Sequence, residues 1–137
     1  MEGSNPISLR CRVIKEGSAR GIALKSPGPL SFFGGVDPES GRIVEKGHPL
    51  EGRNVGGKIL VFPSGKGSTV GSYILYRMSR AGTAPAGMVV GECDSVIAVG
   101  AVIAGIPCVD RADTGLIDDG DDVEIAGQEV IIRKGAP

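Results

Sequence analysis

The 137-residue chain has one histidine, three cysteines, no tryptophan and only five aromatic residues, Phe32, Phe33, Phe62, Tyr73 and Tyr76. Each shortage closes a route. With His48 alone and no Gly-x-Ser-x-Gly elbow, a Ser-His-Asp triad cannot be assembled, and a lone histidine in the segment Gly47-His48-Pro49 is better read as a hydrogen-bonded loop residue than as a metal ligand. Cys11, Cys93 and Cys108 are too scattered for a disulfide framework or a CxxC metal site, and an odd number leaves one unpaired, so a reducing cytoplasm is the expected compartment. No charge of one sign dominates: fifteen basic residues stand against sixteen acidic ones. That balance lacks the basic excess of a nucleic-acid or anionic-membrane surface, and any charged ligand must be met locally. No apolar run is long enough to cross a bilayer, since the most apolar stretch, residues 95–107, is short and follows Glu92 and Asp94; the N-terminus shows no signal-peptide pattern. No nucleic acid and no membrane are expected as partners.

What the chain does have is glycine, 23 of them, with nine prolines and 41% apolar residues at a mean hydropathy of +0.11. Such a composition argues for an ordered core with many tight turns and close backbone approaches. A single globular domain over residues 1–137 is expected.

The most telling segment runs from Gly57 to Tyr73. Ile59 to Phe62 form an uninterrupted apolar run of the kind found in a strand covered on both faces, ended by Pro63. From Ser68 the period changes: Val70, Tyr73, Ile74, Met78 and Ala81 recur at three- and four-residue spacing and predict one buried face of a helix. Ser68 therefore sits at a glycine-rich junction between strand and helix. A hydroxyl there lies beside unpaired backbone N–H groups and the positive end of the helix dipole, a setting that favours an anion. On local sequence alone, N-capping accounts for Ser68 and a solvated loop position for Lys66. A nucleotide P-loop is excluded, because Lys66 is followed by Gly67 and position 60 is Leu60.

Leu9, Cys11 and Val13 alternate with Arg10 and Arg12, predicting a half-buried strand that Gly17 and Ser18 turn into residues 19–25 as a hairpin. Residues 26–56 lose periodicity, with four prolines among seven glycines; a loop of that length in a compact domain is usually functional. Within it Asp37, before Pro38, reads as the cap of a tight turn, with a role towards substrate or partner as the alternative. Met88 to Val90 predict a strand, residues 95–104 a small-residue helix capped by Asp94 or Ser95 and stopped by Gly105, and Cys108 with Val109 a second strand: a βαβ unit. Asp118, Asp119, Asp121 and Asp122 around Gly120 do not fit a calcium loop and are read as a solvated turn. Val123 and Ile125 face Val130 and Ile132 across Ala126-Gly127 as a terminal hairpin. The class is α/β, with mixed parallel and antiparallel strands and two main helices.

Two resemblances extend this reading. Ala86 to Val90, Val96, Gly105 to Val109 and Asp119 to Ile125 resemble the swivelling β/β/α domain of phosphoenolpyruvate-utilising enzymes. Those carry a phosphorylated histidine before the helix; here the place reads Glu92-Cys93-Asp94-Ser95, so the fold analogy stands without that chemistry. The second is more specific. Pro29 to Pro38 (PLSFFGGVDP), His48-Pro49-Leu50, Gly65 to Tyr73 (GKGSTVGSY) and Ala84-Pro85-Ala86 together resemble the aconitase X swivel family. In that family the swivel domain is fused to a large iron–sulfur catalytic part or supplied as a separate small subunit, and this chain resembles the separate form.

The wording from Gly65 to Tyr73 is most similar to archaeal members, which implies dehydration of (R)-5-phosphomevalonate to trans-anhydromevalonate 5-phosphate in an archaeal mevalonate pathway. The resemblance carries Ser68 over as the proton acceptor, with Lys66, Gly67 and Thr69 binding substrate, and Ser31, Gly34, Gly35, Asp37 and His48 in the loop as site or interface residues. No metal or cofactor is expected on this chain, whose cysteines lack cluster spacing. The iron–sulfur cluster would belong to the large catalytic subunit, its partner, and the substrate would be a phosphorylated hydroxy acid. Bacterial relatives acting on cis-3-hydroxy-L-proline tend to have arginine and cysteine near the serine, where this chain has Lys66 and Thr69. A subunit of such a hydroxy-acid dehydratase, or a non-catalytic swivel module that only binds a partner, are the alternatives.

Overall fold

The computed structural model describes residues 5–135. The central strands are β3 (Ser18–Lys25), β4 (Ile59–Phe62), β5 (Gly87–Val90) and β6 (Cys108–Asp110), which pair in parallel. Helix α1 (Val70–Ala81) connects β4 to β5, and helix α2 (Ser95–Ala104) connects β5 to β6, as the βαβ spacing predicts. Asp94 caps α2 by accepting from the Val96 N–H at 3.2 Å, and Gly105, in the left-handed region at φ 72°, ends it. A short 3-10 turn (Thr114–Leu116) leads to the hairpin of β7 (Asp122–Ala126) and β8 (Glu129–Arg133), with Val123 opposite Ile132 and Ile125 opposite Val130.

The N-terminal segment departs from expectation. Its alternation is real, since Ile7, Leu9, Cys11 and Val13 all pack against the same apolar cluster. But it forms two strands, β1 (Ile7–Arg10) antiparallel to β8 and β2 (Arg12–Lys15) antiparallel to β6, rather than a hairpin with β3. Both edges of β3 are already taken, by β4 and β7. The sheet order β1-β8-β7-β3-β4-β5-β6-β2 thus begins and ends on consecutive pieces of chain, and the sheet closes on itself through Cys11. Closure leaves no long unpaired edge.

The alternation of the central strands divides the core. Ile59, Val61, Val89 and Val109 face the enclosed interior with the inward residues of β7 and β8. Leu24, Leu60, Phe62, Met88, Val90 and Cys108 face outwards, under the helices and the long loop. Both faces of β4 and β5 are covered, which is why their sequences read as unbroken apolar runs. The 26–56 loop contributes Leu30, Phe32, Val36, Ile43, Leu50 and Val55 to the outer core and has no helix or strand of its own beyond isolated bridges.

Two further expectations are corrected. Ile74 and Met78 of α1 are buried as their spacing predicts, together with Gly71, Ser72 and Leu75, whereas Val70, Tyr73 and Ala81 are exposed. Small residues mark the packed side because α2 crosses closely: the Ser72 hydroxyl donates to the Val96 carbonyl at 2.6 Å, and a Cβ on Gly100 would stand 2.5 Å from Leu75 Cδ1. Gly100→Val should therefore wedge the helices apart and lower stability by about 1–3 kcal/mol, read as a lower urea midpoint at unchanged slope. Asp121 is buried rather than solvated. It accepts from the Asp118 and Gly135 N–H groups and from Lys134 Nζ, at 2.8, 3.0 and 2.9 Å, tying the turn before β7 to the end of β8. Burial would raise its carboxyl, but those three donors outweigh that and hold it below the usual range.

Candidate functional site

The junction after β4 lies at the carboxyl end of the parallel strands, where ligands of open α/β sheets also bind. It is anchored on both sides. The Gly65 N–H donates to Asp94 Oδ1 at 3.0 Å, so one aspartate caps α2 and pins the glycine-rich segment. Leu30 bridges to Gly65: its N–H donates to the Ser64 carbonyl and its own carbonyl accepts from the Lys66 N–H, both at 3.1 Å. This brings the PLSFFGG segment of the long loop against the GKGST segment, far apart in sequence.

Between them opens a cleft of about 330 Å³ lined by Ser31, Phe33, Gly34, Gly35, Glu45, Lys66 and Gly67. Gly67 has φ +92°, a backbone angle that favours glycine, and a Cβ there would stand 2.7 Å from Ser31 Oγ and force that hydroxyl to move. Lys66 Nζ is 3.0 Å from Glu45 Oε2.

Ser68 follows directly and is exposed. Its Oγ accepts from the Val70 N–H at 3.1 Å, and its carbonyl accepts from the Gly71 N–H at 2.9 Å. The serine thus turns the chain into α1 with its oxygen held beside the first helical N–H groups. Thr69 occupies the N-cap position without a side-chain cap bond and lines a separate depression with Ser72, Ser95, Val96 and Val99.

Asp37 and His48 stand apart from the cleft. Asp37 accepts from the Glu39 N–H at 3.1 Å and the Ser40 hydroxyl at 2.9 Å, closing its own turn. The His48 ring is buried, its Nδ1 accepting from the Leu50 N–H at 3.0 Å. That leaves its proton on Nε2, 3.4 Å from Ser26 Oγ. Both residues hold the loop in shape. Glu45, by contrast, is a cleft residue that sequence reasoning passed over. It lies in an aperiodic segment, 21 positions before Lys66, and no spacing announces the pair.

A second polar cluster lies at the ends of β5 and β6. Fully buried Asp110 receives Arg12 Nε at 2.9 Å, Arg12 Nη2 at 2.8 Å and the Cys93 N–H at 2.8 Å. Burial pushes its carboxyl up, but these bonds and the charges of Arg12 and Arg111 overcome it and hold the group below its ordinary range. Among the described residues no group of three or more histidine, cysteine or acidic side chains is placed to hold a metal ion. The donor set does not fit an iron–sulfur cluster.

Residues 8–134 match the family described as the aconitase X swivel domain. The chain belongs to that family. A protein from Methanothermobacter thermautotrophicus named phosphomevalonate dehydratase small subunit is 49% identical over 130 residues, covering 93% of this chain and 99% of its own. One of the same name from Thermococcus sibiricus is 52% identical over 117 residues, covering 85% and 90%. Among solved structures, the holo-form of Thermococcus kodakaraensis aconitase X superposes with a TM-score of 0.90 at 43% identity, over 92% of this chain and 98% of that one. The solution structure of a UPF0107 protein matches with a TM-score of 0.83 at 40% identity, over 90% and 97%. The shared architecture is the swivel fold, including the mixed sheet and two helices.

Proposed function

We propose that this chain is the small subunit of a phosphomevalonate dehydratase, a single swivel domain that supplies Ser68 to an active site shared with a large catalytic subunit. The similarity to named small subunits over nearly their whole length supports the assignment. The observation that carries the role of Ser68 is its Oγ, exposed at the start of α1 and already accepting a backbone N–H at 3.1 Å.

The reaction removes a proton from the carbon beside the substrate carboxylate and a hydroxyl group from the neighbouring tertiary carbon. Ser68 is the proton acceptor. A serine oxygen serves as a base only where its negative form is stabilised, and the Val70 N–H and the aligned peptide dipoles of α1 act in that direction. Lys66, Gly67 and Thr69 bind the substrate. The iron–sulfur cluster belongs to the large subunit. Exposed Phe33, Val70 and Tyr73 are apolar side chains on the residues around Ser68 and form part of the surface that the large subunit covers.

Anaerobic co-purification with the large subunit, followed by assay of the pair on (R)-5-phosphomevalonate and on cis-3-hydroxy-L-proline, tests this reading. Turnover of the phosphate ester and not of the amino acid is expected. The reverse preference would assign the hydroxyproline reaction, and a stable complex inactive on both would make the chain a binding module.

A further inference from the structure

Glu45 Oε2 is bonded to Lys66, but Glu45 Oε1 is closed off from solvent and has no hydrogen-bond partner. The backbone puts it there. The N–H groups of Val44 and Glu45 both donate to the Gly35 carbonyl, at 2.9 and 3.3 Å, folding the loop back on itself. The carboxylate then lies so close to Gly35 that an added Cβ would be 3.3 Å from Oε1. A buried carboxylate oxygen without a donor costs free energy, and Lys66 is the cation holding it in place. Glu45 and Lys66 both line the cleft. The cleft therefore already contains an anion, and it is the protein's own.

We propose that Glu45 is an intramolecular occupant of the anion seat at Lys66, displaced only by a ligand group of higher charge, and that it thereby selects phosphorylated over unphosphorylated ligands. The inference rests on the reading of Lys66 as a ligand-binding residue. A monoanion such as chloride or a carboxylate offers Lys66 no more charge than the tethered carboxylate does, and it would sit beside a like charge. A phosphate group carries close to two charges near neutral pH and several acceptor oxygens. Its binding also lets Glu45 turn outwards, where Oε1 can be hydrated. Glu45 thus weakens every anion and weakens monoanions most.

The sign is opposite to that of a residue that merely supports the loop. Titration of inorganic phosphate into the full chain, followed through the amide signals of Lys66 and Gly67, reads it without turnover or partner. Glu45→Gln should bind phosphate about two- to fivefold tighter than the native chain, with a larger relative gain for chloride. In a Lys66→Ala background the same substitution should give a smaller gain, because only the repulsion between like charges is left to relieve and no cation is contested. An affinity of Glu45→Gln equal to or weaker than native, no phosphate shift in either protein, or the same gain without Lys66 would overturn the proposal. A failed dehydratase assay leaves this measurement intact, and unchanged phosphate affinity counts against Glu45 even where the assay succeeds.

Discussion

Ser68→Ala, reconstituted with the large subunit, should lose turnover by about 10²- to 10⁴-fold, the range expected for removing a positioned proton acceptor. The loss should fall on kcat, with KM nearly unchanged, because the substitution removes an oxygen at the reacting carbon and leaves Lys66 and the cleft in place. Stability should change little. The one side-chain bond lost is that from the Val70 N–H, and Val70 is exposed, so water can take over as acceptor. Thermal unfolding, cluster content and co-elution with the large subunit are therefore the controls. A variant that binds its partner normally and still turns over at the native rate would remove Ser68 from the chemistry and leave it as the residue that turns the chain into α1.

Asp110→Ala should be the most damaging change to the fold. It would leave the half-buried Cys93 N–H without its acceptor and release Arg12, and a cost of about 3 kcal/mol is expected, at the low end for a broken buried pair because the Arg12 side chain is partly exposed and can rehydrate. The strand ends β2 and β6 joined by this pair also close the sheet, so the loss falls on the closure itself. Acid should reproduce part of the effect. The carboxyls of Asp110 and Asp121 lie below their ordinary value of 3.8 in the folded chain. Their stabilisation is therefore fully present above that value, starts to fall as pH drops through it, and is gone below the folded values. Urea midpoints measured from neutral to acid pH should decline for the native chain and decline less steeply for Asp110→Ala. Parallel curves for the two proteins would show that Asp110 does not carry the acid sensitivity.

How far such results could be anticipated from sequence differs by element. The β4 run, the shift to helical period after Ser68, the Asp94 cap with its Gly105 stop and the β7–β8 hairpin are local patterns, and the structure reproduces them. The motif segments around Lys66 and in the PLSFFGG loop, written side by side by the family resemblance, do meet in space. On α1 the spacing identifies Ile74 and Met78 as buried, but not that Gly71 and Ser72 complete the face in place of Val70 and Tyr73, because small residues are required there only by the close crossing of α2. Asp121 was hidden for a related reason: an acidic residue reads as solvated until its donors, supplied by Lys134 and the backbone, are known.

By itself the sequence determined which residues alternate, where the helices start and stop, and that Ser68 stands at a strand-to-helix junction. These follow from periods of two and 3.6 residues and from capping, all within a few bonds of one another. Only the tertiary structure decided that β1 and β2 seal opposite ends of one sheet, that Asp110 takes Arg12 from the far end of the chain, and that Glu45 sits on Lys66. A strand's pattern says which face is buried but not which neighbour completes its hydrogen bonds. An aperiodic loop likewise says nothing of the charge it will bring to a cleft until the core residues beneath it have fixed its path.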